Sequence, residues 1–174
     1  MSVDDASDRA SSHVASQVEH EELPDALRRA IATHHALYRR DPESAHWWDP
    51  IVVGVPGGPV ACLLLHHVGR RSGQWRDSIL QYYRDGDDIA IVGSKGGVAR
   101  HPAWYLNLLA HPKCISQIGA RRTATVARAV QGDERAQWWA RITREQPVQL
   151  EYQARTSREI PVVVLEPDPA SRAL

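Results

Sequence analysis

The chain has no excess charge of either sign: 21 Lys and Arg stand against 21 Asp and Glu in 174 residues. No global field therefore draws it to nucleic acid or to an anionic membrane, and any anion site must be a local cluster. Long apolar runs are also missing. Stretches such as VACLLL at 60–65 fall far short of the roughly 20 residues that a membrane-spanning helix needs. The start, MSVDDASDRASS, is polar and acidic without the basic and apolar segments of a signal peptide, so the expected location is cytoplasmic. Cysteine is scarce. Cys62 and Cys114 sit in apolar runs, outside any CxxC and with no histidine at metal spacing, and read as buried thiols without chemistry.

Several catalytic signatures are absent too. There is no GxxxxGK[ST] P-loop and no GxGxxG dinucleotide fingerprint. Without a GxSxG elbow, a serine hydrolase is unsupported, and Ser72, Ser78 and Ser94 have no evident base. Histidines are plentiful but poorly arranged for a metal. His66 and His67 are neighbours on a strand and face opposite sides, while His34 and His35 lie roughly 100° apart around a helix, so neither pair chelates one ion. With no HExxH either, no metal is expected.

What is present reads as one domain. Residues 1–22, rich in Ser, Asp, Glu and His, make a flexible arm. Residues 23–59 hold a helix opened by Pro24 and stopped at RDPE, then the loop VGVPGGP. From Val60 the texture becomes strand-like. VACLLLHHV reads as a strand buried on both faces, and DSILQYYR with DIAIVG as a hairpin around DGD. A helix begins after Pro102 and ends at His111-Pro112. KCISQIG and TATVARAV read as a second hairpin turning at ARR, GDERAQWWARI as a helix with Trp138 and Trp139 in its core stripe, and IPVVVLEP as a last strand. Paired strands with helices between hairpins predict an α+β fold with an antiparallel sheet or small closed barrel. Residues 168–174 form a tail.

Two Gly-rich basic loops stand out: GRRSGQWR at 69–76 and GSKGG at 93–97. Glycines let backbone N–H groups converge on an anion, and Arg or Lys adds charge suited to phosphate or carboxylate. Both loops follow strands, and on spacing alone they either converge on one elongated anionic ligand or are ordinary solvated turns. Trp104 and Tyr105, just after the lysine loop, either line a flat pocket or fill the core.

The order GRRSGQWR, then GSKGG, then HPAWYLNL resembles the deazaflavin-dependent nitroreductase and quinone reductase family, and the likeness runs over residues 60–167. The resemblance implies a split β-barrel, antiparallel and pyridoxamine-phosphate-oxidase-like with flanking helices, often dimeric, and coenzyme F420 (8-hydroxy-5-deazaflavin) as hydride donor. It implies that Arg70, Arg71, Ser72 and Arg76 hold the phosphodiester and glutamate tail, with Lys95 and its Gly-rich backbone adding anion contacts. By the same resemblance Ile79, Leu80, Gln81, Val92, Gly93, Ser94, Ala103, Trp104, Tyr105, Leu106 and Asn107 are expected to line the ring and ribityl chain, and Asp77 and Ser78 to complete the coenzyme set. The resemblance further implies that Ser94 and Tyr152 hydrogen-bond the acceptor, a quinone, nitroaromatic or enone, and that Tyr152 or solvent supplies the proton. An acceptor such as menaquinone implies peripheral membrane contact. The alternatives are a flavin mononucleotide (FMN) enzyme of the same fold, to which the two loops are less similar, and a noncatalytic F420-binding protein. The chain departs from the family in carrying His66, His67, Trp75 and Asp77 where other residue types are usual. Gln146 and Gln149 replace two tyrosines of the nitroreductase.

Overall fold

The structure, a computed structural model, describes residues 24–173. The arm expected over 1–22 lies outside them. Helix α1 (Asp25–Arg40) starts after Pro24 and ends at Asp41, whose side chain then caps the single turn α2 (Pro42–Ala45) by accepting the Ser44 N–H at 3.2 Å. The buried side of α1 is polar-aromatic: His34 and Tyr38 face inward, while Leu27 and Ile31 look into a cleft. The Tyr38 hydroxyl accepts the Gly119 N–H at 3.0 Å and lies 3.1 Å from the Cys62 and Gln117 carbonyls, tying the helix to two strands at once. Its burial pushes the phenol up to about 12, so it stays a donor.

After the two-residue strand β1 (Trp47–Trp48) and a 3-10 turn at Pro50–Val53 come β2 (Val60–Val68), β3 (Trp75–Asp85) and β4 (Asp88–Val92). Helix α3 (Ala103–Ala110) separates these from β5 (Lys113–Ile118) and β6 (Arg121–Ala129). Helices α4 (Gly132–Glu145) and α5 (Val148–Ala154) precede β7 (Val162–Pro167). All pairings are antiparallel, in the order β2-β3-β4-β7-β6-β5, and β5 returns to β2 through Leu64 opposite Gln117, Leu65 opposite Ser116 and His66 opposite Ile115. The sheet is thus a closed six-stranded barrel, which leaves no free edge among those strands.

Alternation along the strands serves two cores. Leu63, Leu65, Tyr82, Ile91, Val163 and Leu165 fill one with Trp104 and Leu108 of α3. The neighbouring residues Tyr83, Ala90, Val162 and Val164 meet Trp138 and Ile142 of α4 in the other. On β2, Leu64 faces Tyr38 and Ala45, so this strand is buried on both faces, as its unbroken apolar run predicts. Both cysteines are buried thiols, and burial pushes Cys62 up to about 12.

Three local expectations need correction. The second hairpin turns at Gly119-Ala120, and Arg121 and Arg122 already pair as strand with Ile118 and Gln117. The first hairpin turns on Gly86 and Asp87, since Asp85 pairs with Asp88. Residues 148–154 form α5, a helix that the sequence reading passed over.

Candidate active site

A cleft of about 1710 Å³ runs between α1 and the barrel. That exceeds the roughly 300–1,000 Å³ usual for a small-molecule pocket and leaves room for a coenzyme and a second molecule together. Both basic loops open into it, and α1 forms a wall, contributing Leu27, Arg28, Arg29, Ile31, His35 and Arg39. Cations dominate the lining: Arg28, Arg29, Arg39, Arg70, Arg71, Arg76, Lys95 and Arg100, against the carboxylates Asp25 and Asp77. A chain of zero net charge has therefore gathered a local positive field in one place. Of the residues expected at the coenzyme and acceptor, all reach this cleft except Gly93 and Tyr105. Tyr105 packs instead against the barrel core and the His101 ring, at 5.0 Å between centroids.

The loop after β2 is built by its own hydrogen bonds. Gly69 donates to the Gln74 carbonyl at 2.8 Å and accepts from the Gly73 N–H at 2.8 Å, while the Ser72 hydroxyl accepts from Gln74 N–H and Arg76. Arg70 is fixed to α3, because its backbone N–H and its guanidinium both donate to Asn107 Oδ1 at 3.1 Å. These two donors orient the Asn107 amide, so its Nδ2 donates to His67 Nδ1 at 3.2 Å. His67 must then carry its proton on Nε2, 3.1 Å from Ser78 Oγ. Burial pushes His67 down to about 4, which keeps it neutral for this task. His67, left without a role by the sequence reading, thus joins β2, β3, α3 and the arginine loop in one network.

On the other side of β2 the partners differ. His66 Nδ1 lies 2.7 Å from Asp77, and Arg39 of α1 donates to the same carboxylate at 3.0 Å, with His35 at 3.9 Å. Burial raises the Asp77 carboxyl, but the bonds from His66 and Arg39 outweigh it and hold the group well below the ordinary carboxylate range. The aspartate therefore pins α1 to β3 at the cleft wall.

The lysine loop carries its own explanation of the glycines. Lys95 adopts φ +46°, and Gly96 and Gly97 follow at +65° and +82°. A side chain on Gly97 would stand 2.4 Å from the Tyr152 carbonyl of α5, and one on Gly93 would meet Pro161 at 2.7 Å. Two of the three glycines thus make room for the chain's own backbone and ring, while Gly96 faces open space in the cleft. This packing seats α5, and with it Tyr152, beside the lysine loop. Arg158, another residue the sequence reading did not single out, donates to the Gly93, Ser94 and Val98 carbonyls at 3.0, 2.7 and 2.9 Å.

Near Tyr152 the cleft is lined by Tyr83, Gln146, Val148 and Gln149. Gln149 is 6 % exposed; its Nε2 donates weakly to Tyr83 at 3.4 Å, and its Oε1 has no partner. Burial raises the Tyr152 phenol, so it is protonated at neutral pH and able to donate.

A closed antiparallel barrel with flanking helices and a cation-lined cleft defines the split-barrel, pyridoxamine-phosphate-oxidase-like class. Residues 47–167 match the family described as F420H(2)-dependent quinone reductase, and the chain belongs to that family. The match begins at Trp47, ahead of the Val60 start read from the motifs. An F420H(2)-dependent quinone reductase of Mycobacterium tuberculosis is 43% identical over 114 residues, 64% of this chain and 76% of that protein. The solved F420-H2 dependent reductase FDR-A superposes with a TM-score of 0.56 at 36% identity, covering 60% of this chain and 93% of the other. A structure described as a domain-swapped dimer gives the same TM-score and identity over 60% of this chain and 79% of its own. The chain is accordingly an oxidoreductase of the F420 type.

Proposed function

We propose that the protein passes a hydride from reduced F420 to a quinone, and that activated nitroaromatics and enones enter the same cleft. The observation that carries this reading is the cleft itself, which joins both basic loops to the Ser94 and Tyr152 wall in one cavity. Its residues fit the coenzyme: a phosphodiester and glutamate tail match the cluster of guanidinium groups, and the open space at Gly96 admits a close approach.

When bound, the reduced deazaflavin supplies a hydride, two electrons in one step. Arg70, Arg71, Ser72 and Arg76 hold the tail, and Lys95 balances a further anionic group. Asn107 and His67 keep Arg70 in register with α3. Ile79, Leu80, Gln81, Val92, Ala103, Trp104 and Leu106 supply the flat wall for the ring. α1 forms the opposite wall of the cleft and would limit the access of water to a bound ring. Reduction of a quinone to its hydroquinone consumes a hydride and a proton; Ser94 and Tyr152 orient the acceptor oxygen, and Tyr152 or solvent provides the proton.

Mixing the protein with reduced F420 and menadione tests the reading. Rapid oxidation of the coenzyme, with nitro compounds and enones compared in parallel, is the expected result. Binding of F420 without oxidation by any acceptor in the panel would instead mark a carrier of the coenzyme. The same reading includes a homodimer, supported by the related structure described as a domain-swapped dimer, and sedimentation measures it. Among the described residues no helix is long and apolar enough to cross a membrane. A menaquinone acceptor therefore calls for contact at the membrane surface, which vesicle co-sedimentation measures.

A further inference from the structure

Arg158 lies in the segment between α5 and β7, and its guanidinium is spent almost wholly on one loop. Nη1 donates to the Gly93 carbonyl at 3.0 Å, Nη2 to Ser94 at 2.7 Å and Nε to Val98 at 2.9 Å, with His101 Nδ1 at 3.4 Å from Nη1. Only arginine presents several donors in a rigid fork that serves three carbonyls at once; lysine offers a single point of charge. The described peptides are all trans, and in a trans peptide the N–H points away from the carbonyl of the same unit. Drawing the Gly93 and Ser94 carbonyls onto Arg158 therefore turns the N–H groups of Ser94 and Lys95 the opposite way. Ser94, Lys95 and Gly96 line the cleft, whereas Arg158 does not.

We propose that Arg158 is a positioning residue: it gathers the carbonyls of the lysine loop behind the cleft wall and so presents the Ser94 and Lys95 N–H groups, with the Lys95 side chain, as a cradle for an anionic oxygen of the coenzyme. Lys95 holds a left-handed φ that costs a non-glycine residue energy, and three hydrogen bonds from a cation offset that cost. His101 gives the loop's far end a further contact with the same guanidinium. The inference rests on the deazaflavin reading above.

Two variants, Arg158→Met and Arg158→Lys, test it against two ligands: F420 and the deazariboflavin nucleoside, which keeps the ring but lacks phosphate and glutamates. Fluorescence titration is expected to show Arg158→Met losing about 10- to 30-fold in affinity for F420 and Arg158→Lys less. Affinity for the nucleoside should fall several-fold less, because it has no phosphate or glutamate oxygen for the cradle to hold. In the ligand-free protein, amide exchange at Gly97 and Val98, whose N–H groups donate to the Ser94 and Lys95 carbonyls, should quicken in Arg158→Met. Equal losses for both ligands would show general damage to the fold and overturn the inference, as would unchanged exchange and unchanged F420 affinity. Should the Met variant fail to fold, the Lys variant decides by the same ratio of the two affinities. Wild-type protein that does not bind F420 removes the deazaflavin reading itself, an outcome distinct from any of these.

Discussion

At the scale of single residues, the proposed function divides charge and hydrogen-bond supply between binding, given to Lys95, and turnover, given to Tyr152. Lys95→Ala removes a cation from the coenzyme side of the cleft and should raise the Kd for F420 about tenfold or more, with a smaller effect on kcat. Tyr152→Phe removes only a donor at the acceptor and should lower kcat at least about tenfold while leaving the coenzyme Kd nearly unchanged. Titrations and steady-state rates on both variants check this, and the reverse ordering contradicts the two roles. His67 makes a different kind of prediction. Its pKa is about 4 in the folded protein against 6.5 as the ordinary value, so the unfolded chain binds more protons between those pH values. Its contribution is present in full above pH 6.5 and is lost as the pH falls towards 4, by about 3 kcal/mol at most. His67→Gln should flatten the fall of the urea midpoint across that window. Residual slope will come from His34, His35, His46 and His101, whose pKa values burial also lowers, whereas the Asp77 contribution is lost only below about pH 3.8. The charged loop residues were legible in sequence because their chemistry is local. His67 and Arg158 were not, since each acts on groups that meet it only after folding: Ser78 and Asn107 for one, the carbonyls of residues 93–98 for the other.

At the scale of elements, two helices are mounted on the barrel at a few identifiable points. Helix α5 presses its Tyr152 carbonyl into the space where Gly97 lacks a side chain. Gly97→Ala adds a Cβ there at a φ of +82° and should destabilise the protein by about 1–3 kcal/mol, lowering kcat through displacement of α5. Thermal melts and rates together read this. Helix α1 is held at its C-terminal half by Arg39 on Asp77 and by Tyr38. Asp77→Asn should quicken amide exchange in α1 about tenfold, equal to about 1.4 kcal/mol, and leave the barrel strands unchanged. Uniform acceleration across the molecule would contradict a local pin. The long strands, α3 and α4 were legible from periodicity and prolines. Helix α5 was not, because VQLEYQA offers only about two turns with a mixed face that buries Gln149 rather than an apolar stripe. The ARR turn failed for a related reason: two arginines read as loop, yet on β6 they sit exposed at the start of a strand whose inward position is Thr125.

At the scale of the whole molecule, barrel closure brings together what the chain separates. Loops 69–76 and 93–97 and helices α1, α3 and α5 meet around one cleft of the barrel that the β5–β2 pairing closes. A neutral chain thereby places seven arginines and Lys95 around the one cleft proposed for the polyanionic coenzyme. Strand patterning alone left closure open, allowing a sheet or a barrel, because the β2–β5 pairing joins residues some fifty positions apart; the barrel was legible only through the family resemblance. Binding of a polyanion to so cationic a cleft should weaken as salt is raised, since exposed charges are screened within about 8–10 Å at 0.1–0.15 M ionic strength. Calorimetric titration of the protein with F420 and, in parallel, with FMN tests the central claim most directly. Saturable binding of F420, tighter than FMN and weakened by salt, is the predicted result; no heat of association with F420, or a preference for FMN, would contradict it.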